Sequence, residues 1–207
     1  MTQFLLGLIA GIPGLIIAMV VHEYAHARVA VELGDMTPKM MGRLTLNPKA
    51  HLDPVGLIML LVAQFGWAKP VIINPYNFKK PRRDDMLVSV AGPLANLVTA
   101  FLALVIFIEY QKLGGRLSEG VVLVMKLIIE YNIGFAIFNM IPIPPLDGSH
   151  ILMQLLPRDM AYKLASLERY SFLILVVMLM TPILGYILVP LRSLVWQLYI
   201  LLLTPLL

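Results

Sequence analysis

The sequence predicts an all-α protein that crosses a membrane several times. Of its 207 residues, 59% are hydrophobic and only 14% are charged, and the mean hydropathy is +0.85. Such a composition lies outside the range of ordinary soluble domains. The apolar residues also form runs of about 20, the length that an α-helix needs to cross the ~30 Å hydrocarbon core of a bilayer. We therefore expect a single domain over residues 1–207, embedded in the cell membrane.

The charge and the cysteine content limit which partners and which metal ligands the chain can have. The net charge is +4, but the basic residues lie in loops between apolar runs, where they act as signals of membrane topology. The lipid bilayer is therefore an expected partner and nucleic acid is not. The chain has no cysteine, so any bound metal must be held by histidines and carboxylates.

The first predicted helix, about residues 4–33, contains an H-E-x-x-H motif. His22 and His26 are spaced i and i+4, so both imidazoles lie on one face of the helix and can reach a single zinc ion. Glu23 lies beside them, where a general base takes a proton from a water activated by zinc. Two such histidines arise by chance on soluble helices, but ionisable groups inside a membrane helix are costly and favour a functional site.

A polar connector follows the first helix, and residues 34–86 hold eight of the sixteen Lys and Arg. This excess of basic residues predicts that the connector is cytoplasmic. Residues 41–46 alternate enough to predict a short β-hairpin, which is either an edge for an extended substrate or an ordinary surface hairpin. Residues 54–65 are apolar but too short to cross comfortably, which predicts a re-entrant or interfacial segment. We interpret His51 as a loop histidine.

The second and third membrane helices are predicted at about residues 87–110 and 119–141. The second opens with AGPLAN, in which Gly92 allows close helix approach and Asn96 places one polar group inward. The pair Gly92 and Asn96 fits either simple helix packing or a functional site. A third ligand for the metal comes later, since Asp147 follows a proline-rich stretch that cannot continue a helix and should line a cavity. Asp-Gly is also a common turn, so the turn remains the alternative.

The C-terminal part is predicted to lie along and then within the membrane. Residues 157–170 carry three basic side chains on an amphipathic, interfacial helix. One or two membrane helices then follow, at about residues 170–189 and 193–206. His150 is interpreted as a loop residue.

Taken together, HEYAH and NMIPIPPLDG resemble the site-2 protease family of intramembrane zinc metalloproteases, and most of all its small prokaryotic members without PDZ or CBS domains. GRLTLNP, HLDP, GWAKPV and AGPLAN are also similar to that family, so the resemblance covers about residues 10–160. It implies a three-helix catalytic core that holds one zinc ion per chain. By position it implies three zinc ligands and a catalytic base, namely His22, His26, Asp147 and Glu23. It further implies four substrate-binding residues, namely Asn96, Asn139, Pro142 and Pro144.

The expected function is hydrolysis of a peptide bond in a transmembrane segment of a protein substrate, with the active site towards the cytoplasm. The alternative is a non-proteolytic zinc protein, either a pseudoprotease or a metal transporter. A transporter should carry further ionisable groups on a path across the bilayer, and apart from Glu130 the sequence places none there. An intact base beside the ligands argues against a pseudoprotease.

Overall fold

The computed structural model describes residues 2–56, 59 and 68–204, and the regular secondary structure within them is helical. Three short 3-10 helices, Pro48–Ala50, Pro75–Asn77 and Glu168–Tyr170, accompany the α-helices. In chain order the α-helices are α1 (Thr2–Glu32), α2 (Thr37–Met40), α3 (Pro81–Lys112), α4 (Glu119–Asn139), α5 (Asp147–Leu155), α6 (Arg158–Ala165), α7 (Ser171–Met180) and α8 (Ile183–Leu203).

Four of the described helices, α1, α3, α4 and α8, are long and apolar enough to cross a membrane. Helix α7 has 10 residues and rises only ~15 Å, about half of a hydrocarbon core. Of the two C-terminal segments expected from the sequence, the second is therefore the one with the length of a membrane helix. Helix α6 precedes both segments in the chain and lies in the region predicted to be amphipathic.

Helices α1, α3 and α4 all pack against one another, and α8 packs against the outside of α4. The core between α3, α4 and α8 contains Ala100, Ile133 and Tyr199, all buried. The hydroxyl of Tyr199 donates a hydrogen bond to the carbonyl of Leu97 (2.6 Å), which satisfies the only polar atom of that side chain. Helix α8 thus supports the three-helix group from one side, away from the residues of the H-E-x-x-H motif.

Helix α3 begins six residues earlier than the sequence predicted. Pro81 occupies its first turn, where a missing N–H costs nothing. The carboxylate of Asp84 reaches back to accept a hydrogen bond from the N–H of Lys80 (2.9 Å), which caps the helix. Part of the basic run KKPRRDD, which falls within the predicted connector at residues 34–86, therefore provides the first turn of a membrane helix.

The predicted β-hairpin at residues 41–46 is wrong, and no strand occurs in the described part of the chain. Gly42 has φ +68°, which turns the chain out of an extended conformation. The N–H of Arg43 donates to the carbonyl of Pro38 (2.8 Å), and its guanidinium bonds the carbonyl of Ala50. The alternation therefore arises from a buried arginine in a turn, and this segment offers no strand edge to a substrate.

Asp35 ties the connector to the end of α1. Its buried carboxylate accepts hydrogen bonds from the side chains of Thr37 (2.6 Å) and Asn77 (2.7 Å) and from the N–H of Asn74 (2.7 Å). The segment just before α3 is thereby held against the segment just after α1. The predicted re-entrant segment at 54–65 lies outside the described residues, apart from 54–56 and 59.

Glu130, the one acidic group that a transport path could have used, forms an ion pair with Arg192. The pair joins α4 to α8, and its two side chains are partly buried. Opposite charges on neighbouring membrane helices neutralise each other and lower the cost of placing either in an apolar region. Glu130 is therefore accounted for as a link between two helices.

Candidate metal centre

Three side chains from two helices converge on one point. His22 and His26 lie one turn apart on α1, and Asp147 is the first residue of α5. The Nε2 atoms of the two histidines lie 3.0 Å apart, and each lies close to Asp147 Oδ2, at 3.1 Å and 3.3 Å. Both histidines are buried and Asp147 is partly buried. The structure thus brings together the three residues that the sequence predicted as ligands.

Hydrogen bonds on the far side of each imidazole fix which nitrogen carries the proton. His22 Nδ1 donates to Asn96 Oδ1 (2.8 Å), and His26 Nδ1 donates to the backbone carbonyl of Val88 (2.7 Å). With the protons on Nδ1, both Nε2 atoms present lone pairs to Asp147 Oδ2. Three electron-pair donors then face one another, an arrangement that a cation satisfies.

The residues present fit zinc. Ligand atoms about 2.0–2.1 Å from a tetrahedral zinc stand about 3.3 Å apart, close to the three separations found here. Two imidazoles and a carboxylate are one of the sets of three protein ligands found at catalytic zinc sites, where the fourth position is left for water or substrate. Within the described residues, Asp147 Oδ2 is buried without a hydrogen-bond donor. A bound cation would remove that cost.

Gly92 on α3 makes the room that the two imidazoles occupy. A Cβ atom at this position would lie 2.5 Å from His26 Nε2 and 2.7 Å from His22 Cε1. Both rings are held by the hydrogen bonds to Asn96 and Val88, so neither can move aside freely. From the sequence, Gly92 fitted either helix packing or a functional site. The structure places it directly against both imidazole rings.

Asp147 begins a helix and does not form the alternative Asp-Gly turn. The following Gly148 packs where a Cβ would lie 2.3 Å from the carbonyl oxygen of Met140. Helix α5 therefore starts directly against the end of α4, which directs Asp147 at α1.

Glu23 lies next to this cluster and is oriented by the connector. Its Oε2 accepts a hydrogen bond from the backbone N–H of Val71 (2.8 Å), 48 residues away in sequence. The bond occupies one carboxylate oxygen and leaves Oε1 as an acceptor. The connector segment before α3 is thus part of the site, although its sequence carries no side chain that suggests this.

A cavity of about 290 Å³ joins these groups. Asn139, predicted to bind substrate, lines it together with Pro145. The other three residues predicted to bind substrate are not in the lining of this cavity. Asn96 is fully buried behind His22, Pro144 is buried, and Pro142 is exposed. The wall is formed mainly by α1, the connector, the start of α3 and α5, through His22, Glu23, His26, Pro70, Val71, Ile73, Asp85, Val88, Ser89, Asn139, Pro145, Asp147 and His150.

Sequence reasoning missed two groups near the site. Asn132 is fully buried on α4 and bonds Asn96, and a lone amide in an apolar helix was the signal that could have found it. His150, interpreted as a loop residue, lies on α5 one turn after Asp147 and lines the cavity. The carboxylate of Asp85, 3.8 Å away, raises the pKa of His150. Asp85 also accepts a bond from Gln154 (2.7 Å), so it joins α3 to α5.

Comparisons with known proteins agree with this site. The sequence model of peptidase family M50 matches residues 108–182. The chain is 42% identical over 183 residues to "Putative zinc metalloprotease YwhC" of Bacillus subtilis, covering 86% of this chain and 84% of that protein. It is 31% identical over 178 residues to "Putative zinc metalloprotease Rip2" of Mycolicibacterium smegmatis, covering 84% and 68%. No solved structure matches the chain significantly.

These relatives and the four apolar helices together fix the class of protein. The chain is a multi-pass membrane protein, and the zinc in the relatives' names matches the chemistry of the two histidines and the carboxylate that meet here. The identity to YwhC extends over most of both chains, so the similarity covers more than the metal motif. The chain therefore belongs to peptidase family M50, the site-2 protease family, and is an intramembrane zinc metalloprotease.

Proposed function

We propose that this protein cuts a peptide bond within a transmembrane segment of another membrane protein. In this proposal His22, His26 and Asp147 hold the zinc ion and Glu23 is the general base. The observation that supports it most is that three converging electron-pair donors and one further carboxylate face the same cavity. Hydrolysis of an amide at a zinc site requires a metal and a base within reach of one carbonyl group.

Each residue has a separate task in the reaction. Zinc, when bound, supplies a Lewis acid that polarises the scissile carbonyl and lowers the pKa of a water. Glu23 takes the proton from the attacking water and passes it to the nitrogen of the leaving amine. The N–H of Val71 holds one oxygen of Glu23, which keeps the carboxylate directed at the cavity.

The position of the site within the chain supports a substrate that lies in the membrane. His22 is ten residues before the end of α1, which places it ~15 Å inside that helix. A substrate helix must unwind locally before cleavage, since its amides are otherwise bonded within the helix. Asn139 lines the cavity and donates to the carbonyl of Phe135 (2.9 Å), so its Oδ1 is the atom that we assign to an N–H of the unwound substrate.

We further propose that the site opens towards the cytoplasm. The end of α1, the start of α3 and the end of α4 all lie at the end of the helix group that carries the connector. The connector region 34–86 holds half of the basic residues of the chain, and such an excess is typical of cytoplasmic loops. The site lies nearer to this end than to the opposite one, so the catalytic water would come from the cytoplasm.

Replacing Glu23 with glutamine tests the proposed base. Cells that lack the native protein would carry the wild type, Glu23→Gln or Glu32→Gln, and new termini of membrane proteins would be identified by mass spectrometry. Glu32 lies on the same helix but is exposed and pairs with Arg28, so it is a matched control. We expect Glu23→Gln to lower cleavage at least ~10²-fold, since glutamine cannot accept the proton.

Zinc content of the purified variants separates the two roles of the site. We expect one zinc per chain in the wild type and in both variants, because Glu23 is not among the three converging ligands. Cleavage within membrane segments by the wild type and Glu32→Gln, and not by Glu23→Gln, is the expected result. Undiminished cleavage by a zinc-loaded Glu23→Gln protein would contradict the assignment of the base.

A further inference from the structure

Asn132 is a polar residue in the interior of a membrane helix, and it is fully buried. Its Nδ2 donates to the carbonyl of Ile128, one turn earlier on α4 (2.8 Å). Its Oδ1 accepts a hydrogen bond from Asn96 Nδ2 on α3 (2.9 Å). A buried amide in an apolar region is costly unless it is bonded, and both ends of this one are bonded. Asn132 neither lines the cavity nor belongs to the cluster of candidate ligands.

The partners of Asn132 determine which way its amide points. A backbone carbonyl only accepts hydrogen bonds, so the end that faces Ile128 must be Nδ2 and the end that faces Asn96 must be Oδ1. Asn96 must then present its own Nδ2 to Asn132, and Nδ2 also donates to the carbonyl of Ala18 (2.8 Å). The remaining Oδ1 of Asn96 faces His22 Nδ1. Two backbone carbonyls, that of Ile128 on α4 and that of Ala18 on α1, thus fix a chain of hydrogen bonds that ends at the imidazole.

The two histidines differ in how their protonation is secured. His26 Nδ1 faces the carbonyl of Val88, a group that cannot donate a hydrogen bond under any rearrangement. His22 Nδ1 faces a side-chain amide, which would present a donor if it rotated by half a turn. A rotated amide would move the proton of a neutral His22 to Nε2, the atom that points at Asp147. His22 is therefore the ligand whose tautomer depends on a further residue.

We propose that Asn132 is a positioning residue that, through Asn96, holds His22 in the tautomer that binds zinc. The proposal rests on the ligand assignment made above. Partners in the second layer around a metal fix the tautomer and orientation of ligating histidines, and their removal typically lowers metal affinity 10–100-fold. Loss of Asn132 leaves one Nδ2 hydrogen of Asn96 without an acceptor, and this removes part of the penalty for rotating the amide.

Three substitutions separate the hydrogen bond from the packing of Asn132. Asn132→Leu has the same number and branching of side-chain heavy atoms and removes both bonds. Asn132→Asp keeps the shape, and when protonated its hydroxyl donates to the Ile128 carbonyl while its other oxygen accepts from Asn96. Asn132→Ser is small and is expected to bond its own helix but not to reach Asn96. Thr99→Val is the control, because Thr99 bonds only the Ala95 carbonyl of its own helix in the described structure.

The first measurement is the zinc dissociation constant of the full chain in lipid nanodiscs, by competition with a chelator. We expect Asn132→Leu and Asn132→Ser to bind zinc at least ~10-fold more weakly than the wild type. Asn132→Asp and Thr99→Val are expected within about threefold of it. If the leucine variant does not fold, the serine variant still tests the proposal, because serine is smaller than asparagine and cannot clash with α3.

The second measurement is a nitrogen-15 spectrum of the histidines in the zinc-free protein. The chain has only four histidines, so the Nδ1–H signal of His22 is assigned by its loss in His22→Gln. We expect this signal in the wild type and Asn132→Asp, and its loss or division into two tautomers in Asn132→Leu or Asn132→Ser. A purely structural role of Asn132 would lower stability without changing the tautomer.

The outcomes distinguish this proposal from the proposed function. Zinc affinity and His22 tautomer in Asn132→Leu and Asn132→Ser equal to those of Thr99→Val would overturn it. So would an Asn132→Asp protein as impaired as Asn132→Leu, because the hydrogen-bond pattern would then not matter. If His22→Gln itself left zinc affinity unchanged, the ligand assignment would fail and this proposal with it.

Discussion

The two imidazoles of the site fit beside α3 because residue 92 has no side chain. The nearest atoms to a Cβ at Gly92 would belong to His26 and His22, at 2.5 Å and 2.7 Å. Contacts this short do not occur between real atoms, so one element would have to move. Neither ring can yield easily, since each is tied to α3 itself, through Asn96 and Val88. The candidate metal site therefore depends on the absence of a side chain at residue 92 as well as on the residues that can bind the metal.

We expect Gly92→Ala to weaken zinc binding at least ~10-fold, because the added methyl displaces both imidazoles from the position facing Asp147. It should also destabilise the fold by about 1–3 kcal/mol, the usual cost of an overpacked interior. Chelator competition and thermal unfolding in detergent measure the two effects. Gly134→Ala on α4 is the matched control, since a Cβ there would meet no described atom within 4 Å. Equal zinc affinity of the two variants would show that the rings can move aside.

Between elements, hydrogen bonds to one carboxylate keep the connector in place. Asp35 receives bonds from Thr37, Asn74 and Asn77, and so holds the chain before α3 against the end of α1. The same connector supplies the Val71 N–H that orients Glu23. Burial works against ionisation of Asp35, but these hydrogen bonds outweigh it and hold its pKa below the usual 3.8. The connector therefore contains both the residues that Asp35 holds and the backbone N–H that contacts Glu23.

This lowered pKa gives a pH dependence of defined sign. The carboxylate stabilises the fold fully at pH values above its unfolded-state pKa, near 3.8, and this stabilisation is lost as the pH falls through the lower folded-state pKa. Asp35→Asn should cost about 2 kcal/mol near neutral pH, since it replaces charge-assisted bonds and turns one acceptor into a donor. The difference in melting temperature from the wild type should then shrink below about pH 4.

Thermal unfolding of the wild type and Asp35→Asn between pH 3 and pH 8 measures this effect. Asp159→Asn is the control, because Asp159 is exposed on α6 and should change stability little at any pH. A constant difference between the wild type and Asp35→Asn down to pH 3 would contradict the assigned role of the carboxylate.

Close approach between elements also places α1. Pro13 lies within the continuous helix Thr2–Glu32, and the neighbouring Gly14 faces α4. A Cβ at Gly14 would lie 2.9 Å from the carbonyl oxygen of Leu127 and 3.0 Å from Ile128. The backbones of α1 and α4 therefore touch one turn before Asn132, which brings the amide chain within reach of His22.

For the whole molecule, the arrangement of helices predicts which loops face which side of the membrane. The connector and the turn between α3 and α4 lie at opposite ends of α3, a helix of 32 residues that rises ~48 Å. If the connector is cytoplasmic, as its basic residues indicate, the turn must be outside. The catalytic site is then reached from the cytoplasm, because it lies at the connector end of the helix group.

Single cysteines test this orientation without interference, because the native chain has none. Lys79 precedes α3 and Arg116 lies in the turn after it, and both are exposed. In intact cells we expect a membrane-impermeant maleimide to label Arg116→Cys and to label Lys79→Cys only after lysis. The opposite pattern would place the site on the outer side and contradict the proposed orientation.

The sequence by itself determined the features that depend on neighbours along the chain. The i, i+4 spacing of His22 and His26 fixes their common face, and the length of the apolar runs fixes the membrane helices. The prolines before Asp147 interrupt α4, which predicted a chain segment at membrane depth that must line a cavity. The prediction failed at residues 41–46, where alternation suggested a strand. What decided that segment was the inward turn of Arg43 to the carbonyl of Ala50.

Only the tertiary structure decided the contacts that complete the site. The bonds between Asn96 and Asn132, and between Val71 and Glu23, join residues 36 and 48 positions apart. Such contacts depend on how far each helix is rotated about its axis and shifted along it, and neither quantity is encoded in a local pattern. The three candidate ligands could therefore be proposed from the sequence, whereas the groups that orient them and the space at Gly92 required the packed helices.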